Sequence, residues 1–275
     1  MIYLNYLGKM GQLGNQLFQY AALKGIANHK GYDFAIPNHN ELIVDALGNK
    51  LRIELFTPFK LKNFSEKNIG VVDKPIIQER HFHFDEELFN DCPNESCIVG
   101  YFQTEKYFSH IRNELLEDFE FIDDIQTSCR EMISQVERPI ALHIRRGDFL
   151  RNSGNHHNLD LSYYESALSQ YENDRQVVIF SDDPVWCKEQ FLFKEDRFLV
   201  SESDNPYVDL CLMSLCSDFI IANSTFSWWL AFLGQDKNKQ IFMPSPWFGP
   251  ALQHLDASGY YPPGTNTISR EVVKV

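Results

Sequence analysis

The sequence predicts an α/β fold with parallel sheets in two domains, and three observations predict it. Strand and helix patterns alternate after residue 139, a shorter strand–helix–strand unit opens the chain, and the length is 275 residues. Such alternation is typical of a doubly wound parallel sheet, and a domain usually has roughly 100–200 residues. We therefore expect one domain over residues 1–135 and a second over 136–275, with the last residues packing back on the first.

The first 36 residues predict one strand–helix–strand unit. Ile2–Leu7 is apolar, and the loop that follows it is rich in glycine. Gln16–His29 has apolar residues at mixed helical spacing and ends before Gly31, a residue that commonly closes helices. Tyr32–Ile36 then alternates apolar and polar residues, as a half-buried strand does.

The second half repeats this rhythm more clearly, whereas the middle of the chain, residues 38–137, is less regular. Strands are predicted at Ile140–Ile144, Gln176–Phe180, Phe198–Val200, Phe219–Ala222 and Gln240–Met243. Helices are predicted at Leu161–Tyr171, Pro206–Cys216 and Thr225–Leu233, with a further one beginning at Pro184. Asp160 is the expected N-cap of the first of these helices, and the fixed φ of Pro184 suits a first helical turn.

The composition excludes several classes of protein. With 25 Lys and Arg against 38 Asp and Glu, the formal net charge is −13, so nucleic acid and anionic membranes are not attracted in general. The longest apolar run, Trp228–Leu233, is far shorter than the roughly 20 residues of a membrane helix. The N-terminus shows no secretion signal, and the six cysteines are scattered without a C-x-x-C pair. We therefore expect free thiols and a cytoplasmic protein without a membrane segment.

Cofactor motifs are missing as well. The loop over residues 11–16 lacks the G-x-G-x-x-G spacing of dinucleotide enzymes, and the sequence has no P-loop. His81 and His83 have no matching Cys pair, so a solvated strand face is favoured over a zinc site. We expect neither a cofactor nor a metal ion.

Polar residues follow three of the predicted strands, where ligands bind in an open parallel sheet. After the strand at 140–144 come Arg145 and Arg146, whose guanidinium groups suit bidentate contacts with phosphate. Their pairing with Asp148 or other local acids is an equal alternative. After the next strand, one carboxylate of Asp182 and Asp183 is suited to a guanine edge or a ribose, and Asp183 to capping the following helix. A metal site that carries a nucleotide-sugar is the alternative, but two adjacent aspartates before Pro184 do not obviously converge on one ion.

The third strand is followed by Asn223–Trp229, which places hydroxyls and backbone N–H groups at a helix N-terminus. Such an end is suited to an anion, although a simple N-cap by Asn223 or Ser224 is the alternative. Trp228 and Trp229 are expected in the core. Together the three strand ends predict a bound nucleoside diphosphate, which is a donor for group transfer.

Five segments resemble, in order, the motifs of the bacterial alpha-1,2-fucosyltransferases, glycosyltransferase family 11. They are Gly11–Ala21, Gly100–Phe108, His143–Asp148, Ser181–Pro184 and Asn223–Trp229. The resemblance implies a GT-B fold, in which two Rossmann-like domains face each other across a cleft. It also implies metal-independent, inverting transfer of fucose from GDP-beta-L-fucose to the 2-hydroxyl of a beta-galactoside acceptor.

The resemblance also implies roles for single residues. Arg145 contacts the diphosphate and stabilises the departing GDP, while His143 and Asp182 address the guanine. Asn15, in the turn at Gly14, closes on the phosphates or the fucose from the opposite domain. The other donor-binding residues it implies are Gln16, Asn223, Ser224, Thr225 and Ser227.

The base that inversion requires on the acceptor hydroxyl stays open. Asp148 is a catalytic candidate beside Arg145, although we favour a role in holding an arginine in place. Glu105 is a second candidate, and a phosphate or a water relay is a third. Transfer of another GDP-sugar, such as GDP-mannose or a GDP-deoxysugar, stays open too. So does a non-catalytic carbohydrate- or nucleotide-binding module, against which the joint presence of Arg145 and Asp182 argues.

Overall fold

Two parallel sheets, each in its own unit of the chain, form the framework of the computed structural model. The structure describes residues 1–38, 41–46 and 48–269. The first unit comprises Met1–Ile122 together with Asp256–Tyr260, and the second comprises Asp123–Leu255 together with the described residues from Tyr261 to Ser269. The predicted α/β class with two Rossmann-like units is confirmed.

The division between the units differs from the predicted boundary by one helix. Helix α4, Asp123–Ile133, belongs to the second unit, where it packs against helix α8, Pro206–Ser214. Its Cys129 is fully buried at this contact. Near the end of the chain, Asp256–Tyr260 belongs to the first unit, while Asn266–Ser269 forms a strand of the second sheet. Residues 270–275 lie outside the described part of the chain.

The sheet of the first unit is parallel throughout. Its strands are β1 Ile2–Tyr3, β2 Phe34–Ala35, β5 Ile76–Gln78 and β6 Ser96–Val99, in the order β2-β1-β6-β5. A separate antiparallel ribbon pairs β3 Ile43–Val44 with β4 Lys50–Leu51. The helices of this unit are α1 Leu13–Lys30, α2 Glu86–Asp91 and α3 Arg112–Asp118.

Helix α1 is buried on almost all sides between Leu13 and Ala27, which explains its mixed apolar spacing. It begins at Leu13 rather than at the predicted Gln16, so the end of the expected loop forms its first turn. Gly31 closes it in the left-handed region at φ 66°, as predicted. Gly25 allows a close approach, because a Cβ there would lie 2.1 Å from the carbonyl oxygen of Tyr107.

The second unit has the larger sheet, which is also parallel throughout. Its strands are β7 Ile140–Ile144, β8 Val177–Ser181, β9 Phe198–Val200, β10 Asp218–Ile220, β11 Ile241–Ser245 and β12 Asn266–Ser269, in the order β12-β11-β10-β7-β8-β9. The helices besides α4 and α8 are α5 Gly147–Arg151, α6 Leu161–Leu168, α7 Pro184–Glu189 and α9 Thr225–Leu233.

Helix caps and the core of the second unit agree with the sequence. Asp160 and Asp183 accept hydrogen bonds from backbone N–H groups of the first turns of α6 and α7, at 3.3 and 3.1 Å. Pro184 occupies the first position of α7. Trp228 and Trp229 are fully buried in α9, as expected.

The sequence analysis missed β5 and β6 in the middle of the chain and made β1 too long. Strand β5 is a three-residue edge strand with exposed ends, so it has no buried pattern to recognise. All six cysteines are free and buried. Within the described residues, no helix is both long and apolar enough to cross a membrane.

Candidate active site

Strands β10, β7 and β8 are neighbours at the centre of the second sheet. Because the three strands are parallel, their carboxyl ends lie at one edge of the sheet. The three polar segments predicted from the sequence lie at or just after the ends of these strands: His143–Asp148, Ser181–Asp183 and Asn223–Ser227. The fold therefore places them side by side.

The Arg145 guanidinium is held by two carboxylates. Its Nε donates to Oδ1 of Asp148 at 3.0 Å, and Nη2 lies 2.7 Å from the same oxygen. Its Nη1 lies 3.2 Å from Oδ2 of Asp182. The side chain is 22% exposed. Pairing with local acids, the predicted alternative, is thus observed. It fixes the plane of the guanidinium group and leaves part of the side chain exposed.

Arg146 is fixed by the strand end next to its own. Its backbone N–H donates to Oδ1 of Asp182 at 2.9 Å, and its Nε donates to Asp183 at 3.1 Å. The guanidinium carbon lies 3.9 Å from the centre of the Trp186 ring, a cation–π contact. A Cβ on Gly147 would lie 2.5 Å from Oδ2 of Asp182, so this close approach of chains requires glycine.

His143 is buried near the end of β7. Burial, together with the nearby charge of Arg145, lowers the pKa of His143 to about 3, so the ring is neutral near pH 7. Its ring centre lies 5.8 Å from that of Phe226 in α9. Among the described residues, Nδ1 has no hydrogen-bond partner, so this nitrogen can serve a ligand.

The start of α9 provides backbone N–H groups and hydroxyls. The first bond within the helix is from Trp228 N to Ser224 O at 2.9 Å, so the amides of residues 225–227 precede it. Ser224 is the N-cap by position, but its side chain makes no capping bond. The simple N-cap alternative is therefore wrong for this side chain.

Two donor-binding candidates of this segment have internal partners instead. Ser227 is fully buried, and its hydroxyl donates at 3.1 Å to the carbonyl oxygens of Ala222 and Ser224. The side-chain amide of Asn223 donates to the carbonyl oxygens of His157 and Trp247, at 3.2 and 3.0 Å. Both side chains thus bind the protein itself, while Oδ1 of Asn223 has no hydrogen-bond partner among the described residues, and their donor-binding role stays a prediction.

In the first unit, Gln16 also has internal partners. Its side-chain amide donates to the carbonyl oxygens of Arg52 and Gly11, at 2.7 and 3.3 Å, and accepts from Glu54 N at 2.8 Å. The side chain is fully buried and holds the turn before α1, and its predicted role as a donor contact stays a prediction. Asn15 is partly exposed, and its Oδ1 accepts from Gln103 at 2.7 Å.

Two carboxyl groups of the first unit have raised pKa values. Burial raises the pKa of Glu105, which begins a short 3₁₀ turn near Arg112. Burial raises the pKa of Glu79 to about 7. The sequence analysis missed Glu79, because it follows the unrecognised strand β5 and belongs to no motif.

The predicted strand face for His81 and His83 is wrong. Both lie in the loop after β5, with stacked rings whose centres are 4.6 Å apart. Over the part of the chain that the structure describes, no three His, Cys, Asp or Glu side chains form a group that could hold a metal.

The fold is similar to that of the crystal structure of POFUT1 in complex with GDP, with a TM-score of 0.56 and 14% sequence identity, covering 88% of this chain and 97% of that chain. At that identity the similarity concerns the fold alone, the two-unit GT-B class.

The family follows from the sequence. The model of Glycosyl transferase family 11 matches residues 3–247, and the chain belongs to this family of glycosyltransferases. An alpha-1,2-colitosyltransferase of Escherichia coli is 30% identical, over 86% of this chain and 90% of that protein. The galactoside alpha-(1,2)-fucosyltransferase 2 of Rattus norvegicus is 25% identical, over 82% of this chain and 66% of that protein. The resemblance seen in the motifs is confirmed.

Proposed function

We propose that the protein transfers L-fucose from GDP-beta-L-fucose to the 2-hydroxyl of a beta-galactoside, with inversion and without a metal ion. The observation that carries this proposal is the Arg145 guanidinium at the end of the central strand β7, oriented by Asp148 and Asp182. The names of the rat relative and of the Escherichia coli colitosyltransferase add support for alpha-1,2 transfer.

Arg145 meets the main chemical requirement of this reaction. As the bond from fucose to GDP breaks, the leaving diphosphate gains negative charge, and the fucosyl group becomes similar to an oxocarbenium ion. A guanidinium that is already oriented stabilises this charge without reorganising. Each terminal nitrogen of the fork carries two hydrogens, so Arg145 can bind carboxylates and phosphate oxygens at once.

Helix α9 contributes to the same charge. Its first amides, at residues 225–227, and the partial positive charge of a helix N-terminus favour an anion. Ser224 and Thr225 add hydroxyls at this point, and we propose them as contacts of the phosphates and the ribose. This arrangement supplies electrostatic stabilisation that other glycosyltransferases obtain from a metal ion.

His143 and Asp182 are proposed to recognise the guanine. The neutral His143 keeps an unpartnered Nδ1. Asp182 accepts from both arginines, but a carboxylate has about four lone-pair directions and can accept further N–H groups. Asn15 remains the proposed donor contact in the first unit.

We propose Asp148 as an organiser of Arg145 rather than as the base. Its Oδ1 accepts from Nε of that arginine and contacts Nη2 as well, so this oxygen is occupied by the guanidinium group. The acceptor proton then leaves to another group, such as a phosphate oxygen of the donor or a water.

Colitosyl transfer is a second candidate, because the relative with 30% identity is a colitosyltransferase. Colitose is a fucose without the 3-hydroxyl, so the two donors differ only at one carbon of the sugar. The residues at the three strand ends are proposed to bind the nucleotide and the diphosphate. Both donors share these groups.

The test is a measurement of GDP release with EDTA present. GDP-fucose and GDP-colitose are each offered with a panel of beta-galactosides, and the product linkage is determined by NMR. We expect GDP release with GDP-fucose and a galactoside, and an alpha-1,2 linkage. Faster turnover of GDP-colitose than of GDP-fucose would overturn the assignment of GDP-fucose as the donor. GDP binding without turnover of either donor would indicate a binding module. Loss of activity in EDTA would overturn metal independence.

A further inference from the structure

The Glu79 carboxylate, at the carboxyl end of β5, is surrounded by hydrogen-bond donors of the first unit. Its Oε2 accepts from the backbone N–H groups of Tyr101 and Phe102, both at 2.9 Å. Its Oε1 accepts from the Tyr107 hydroxyl at 3.2 Å. Both oxygens therefore have partners within the protein, and Tyr107 is fully buried.

The turn after β6 is built around this carboxylate. A Cβ on Gly100 would lie 2.5 Å from Cβ and 2.6 Å from Oε2 of Glu79, so only glycine allows the approach. Phe102 has a φ of 54°, in the left-handed region that a bulky residue rarely adopts. The bond from its amide to Glu79 stabilises this conformation.

The same turn reaches the start of helix α1. Gln103 donates to the side chain of Asn15 at 2.7 Å, and the Tyr260 hydroxyl donates to Gln103. Gln19 of α1 donates to the carbonyl oxygens of Gly100 and Met10, at 3.2 and 3.1 Å. Hydrogen bonds thus connect Glu79 to Asn15 through the turn over residues 100–103.

We propose that Glu79 is a positioning residue for sugar transfer: it holds the turn over residues 100–103, and through Gln103 it fixes the side chain of Asn15. This inference rests on the proposed function, in which Asn15 contacts the donor. Glu79 does not touch the substrate itself, because its oxygens bind the backbone of the turn and Tyr107.

The role predicts a pH dependence near neutrality. The ionised carboxylate accepts all three hydrogen bonds, whereas protonation converts one oxygen to a donor. Burial raises the pKa of Glu79 to about 7, and the groups that face it are Tyr107, Asp85 and Tyr260, none of which becomes positively charged. Asn15 should therefore be held less firmly below this pH and more firmly above it.

The experiment is a double-mutant cycle of Glu79→Gln and Asn15→Ala, with KM for GDP-fucose and kcat measured from pH 5.5 to 8.5. Glutamine keeps the shape of the side chain but has a single acceptor oxygen. At pH 8 we expect Glu79→Gln to lower kcat/KM for the donor by about tenfold, since small misplacements of contacting groups cost this much. In the Asn15→Ala background the same change should cost less than about twofold.

Asp118→Asn is the matched control, because Asp118 is a buried carboxylate of the same unit with other partners, Lys24 and Tyr20. It should lower the melting temperature without changing the donor KM. Equal losses from Glu79→Gln in both backgrounds would overturn the inference. If Glu79→Gln fails to fold, Asn15→Ala alone decides: it should abolish the rise of donor kcat/KM near pH 7, and retention of that rise would also overturn the inference. Absence of GDP-fucose turnover by the wild-type protein would instead contradict the proposed function.

Discussion

The polar groups at the two sheet edges are organised in opposite ways. In the second unit, Arg145 and Arg146 are charged, partly exposed and matched by three nearby carboxylates. In the first unit, the groups around the start of α1 are mainly neutral amides such as Gln16 and Gln19, which are 0% and 1% exposed. Among the carboxylates there, Glu79 has no positively charged partner in its hydrogen bonds.

This difference separates two tasks. A partly exposed arginine held by carboxylates keeps its charge in water until a ligand arrives, so it suits the binding of an anion. Buried amides that donate to backbone carbonyl oxygens hold the backbone in place, which suits the orientation of a neighbouring side chain. The comparison predicts that substitutions in the second unit act on the charge that stabilises sugar transfer. Substitutions in the first unit should act on how precisely the proposed donor contact is positioned.

Arg145→Ala should have the largest effect, because it removes the charge that we propose stabilises the leaving diphosphate. We expect kcat/KM to fall by roughly a hundredfold or more, as for the loss of one preorganised donor. The melting temperature should change little, since the side chain lies at the surface of the site. Steady-state kinetics and a thermal melt measure the two effects.

Arg145→Lys is the matched variant for this test. Lysine keeps the charge but cannot bind two carboxylates and a phosphate with a planar fork. It should recover only a small part of the lost rate. Activity of Arg145→Ala within a fewfold of the wild type would show that the diphosphate role belongs elsewhere.

Gly147→Ala should give a smaller loss, since it acts on Arg145 only through Asp182. The new Cβ would lie 2.5 Å from Oδ2, which must move away from the arginine. We expect about a tenfold lower kcat/KM. The control is Gly154→Ala in the same unit, where the nearest atom to a new Cβ is 3.8 Å away. Similar kinetics of the two variants would mean that the position of Asp182 is unimportant.

Asp148→Asn distinguishes the organiser from the base. As an organiser, Asp148 acts on GDP binding and on rate together, so both should weaken by roughly threefold to tenfold, the cost of a charge-assisted hydrogen bond to a partly exposed group. As a base, it would lower kcat and leave the Kd for GDP unchanged. The control Asp160→Asn removes a charge from the N-cap of α6, where asparagine caps equally well.

Most of the second unit could be predicted from the sequence. Several of its elements are apolar runs bounded by caps and turns, so β7, β9 and α9 have the predicted limits. The first unit was less predictable, because β1 and β2 are two-residue strands and β5 is an exposed edge. Their pairing depends on contacts that are distant in sequence, which a local pattern does not contain.

The site shows the same division. The place of Arg145 in the candidate site was predictable, since core packing gives little reason for two adjacent arginines directly after an apolar strand. The internal bonds of Gln16 and Ser227 were not, because exposure of a polar side chain depends on the packing around it. Glu79 was missed for a related reason. Its partners are the backbone N–H groups of Tyr101 and Phe102, which are distant in sequence and come close to it only in the folded chain.

The smallest expected effect concerns the stability of the first unit. Burial raises the pKa of Glu79 from its ordinary value of 4.5 to about 7, so the folded state binds this proton more tightly than the unfolded chain does. The stabilising effect of the protonated group is therefore fully present below pH 4.5 and is lost as the pH rises through about 7. Glu79→Gln, which cannot ionise, should have a higher melting temperature relative to the wild type at pH 8 than at pH 5. Asp85 should show the opposite effect of charge on stability, because the guanidinium of Arg80 lowers its pKa to about 2. Asp85→Asn should therefore be less stable than the wild type at pH 8. A constant difference between Glu79→Gln and the wild type across this range would mean that Glu79 is not an uncompensated charge, and the contrast with the paired arginines of the second unit would fail.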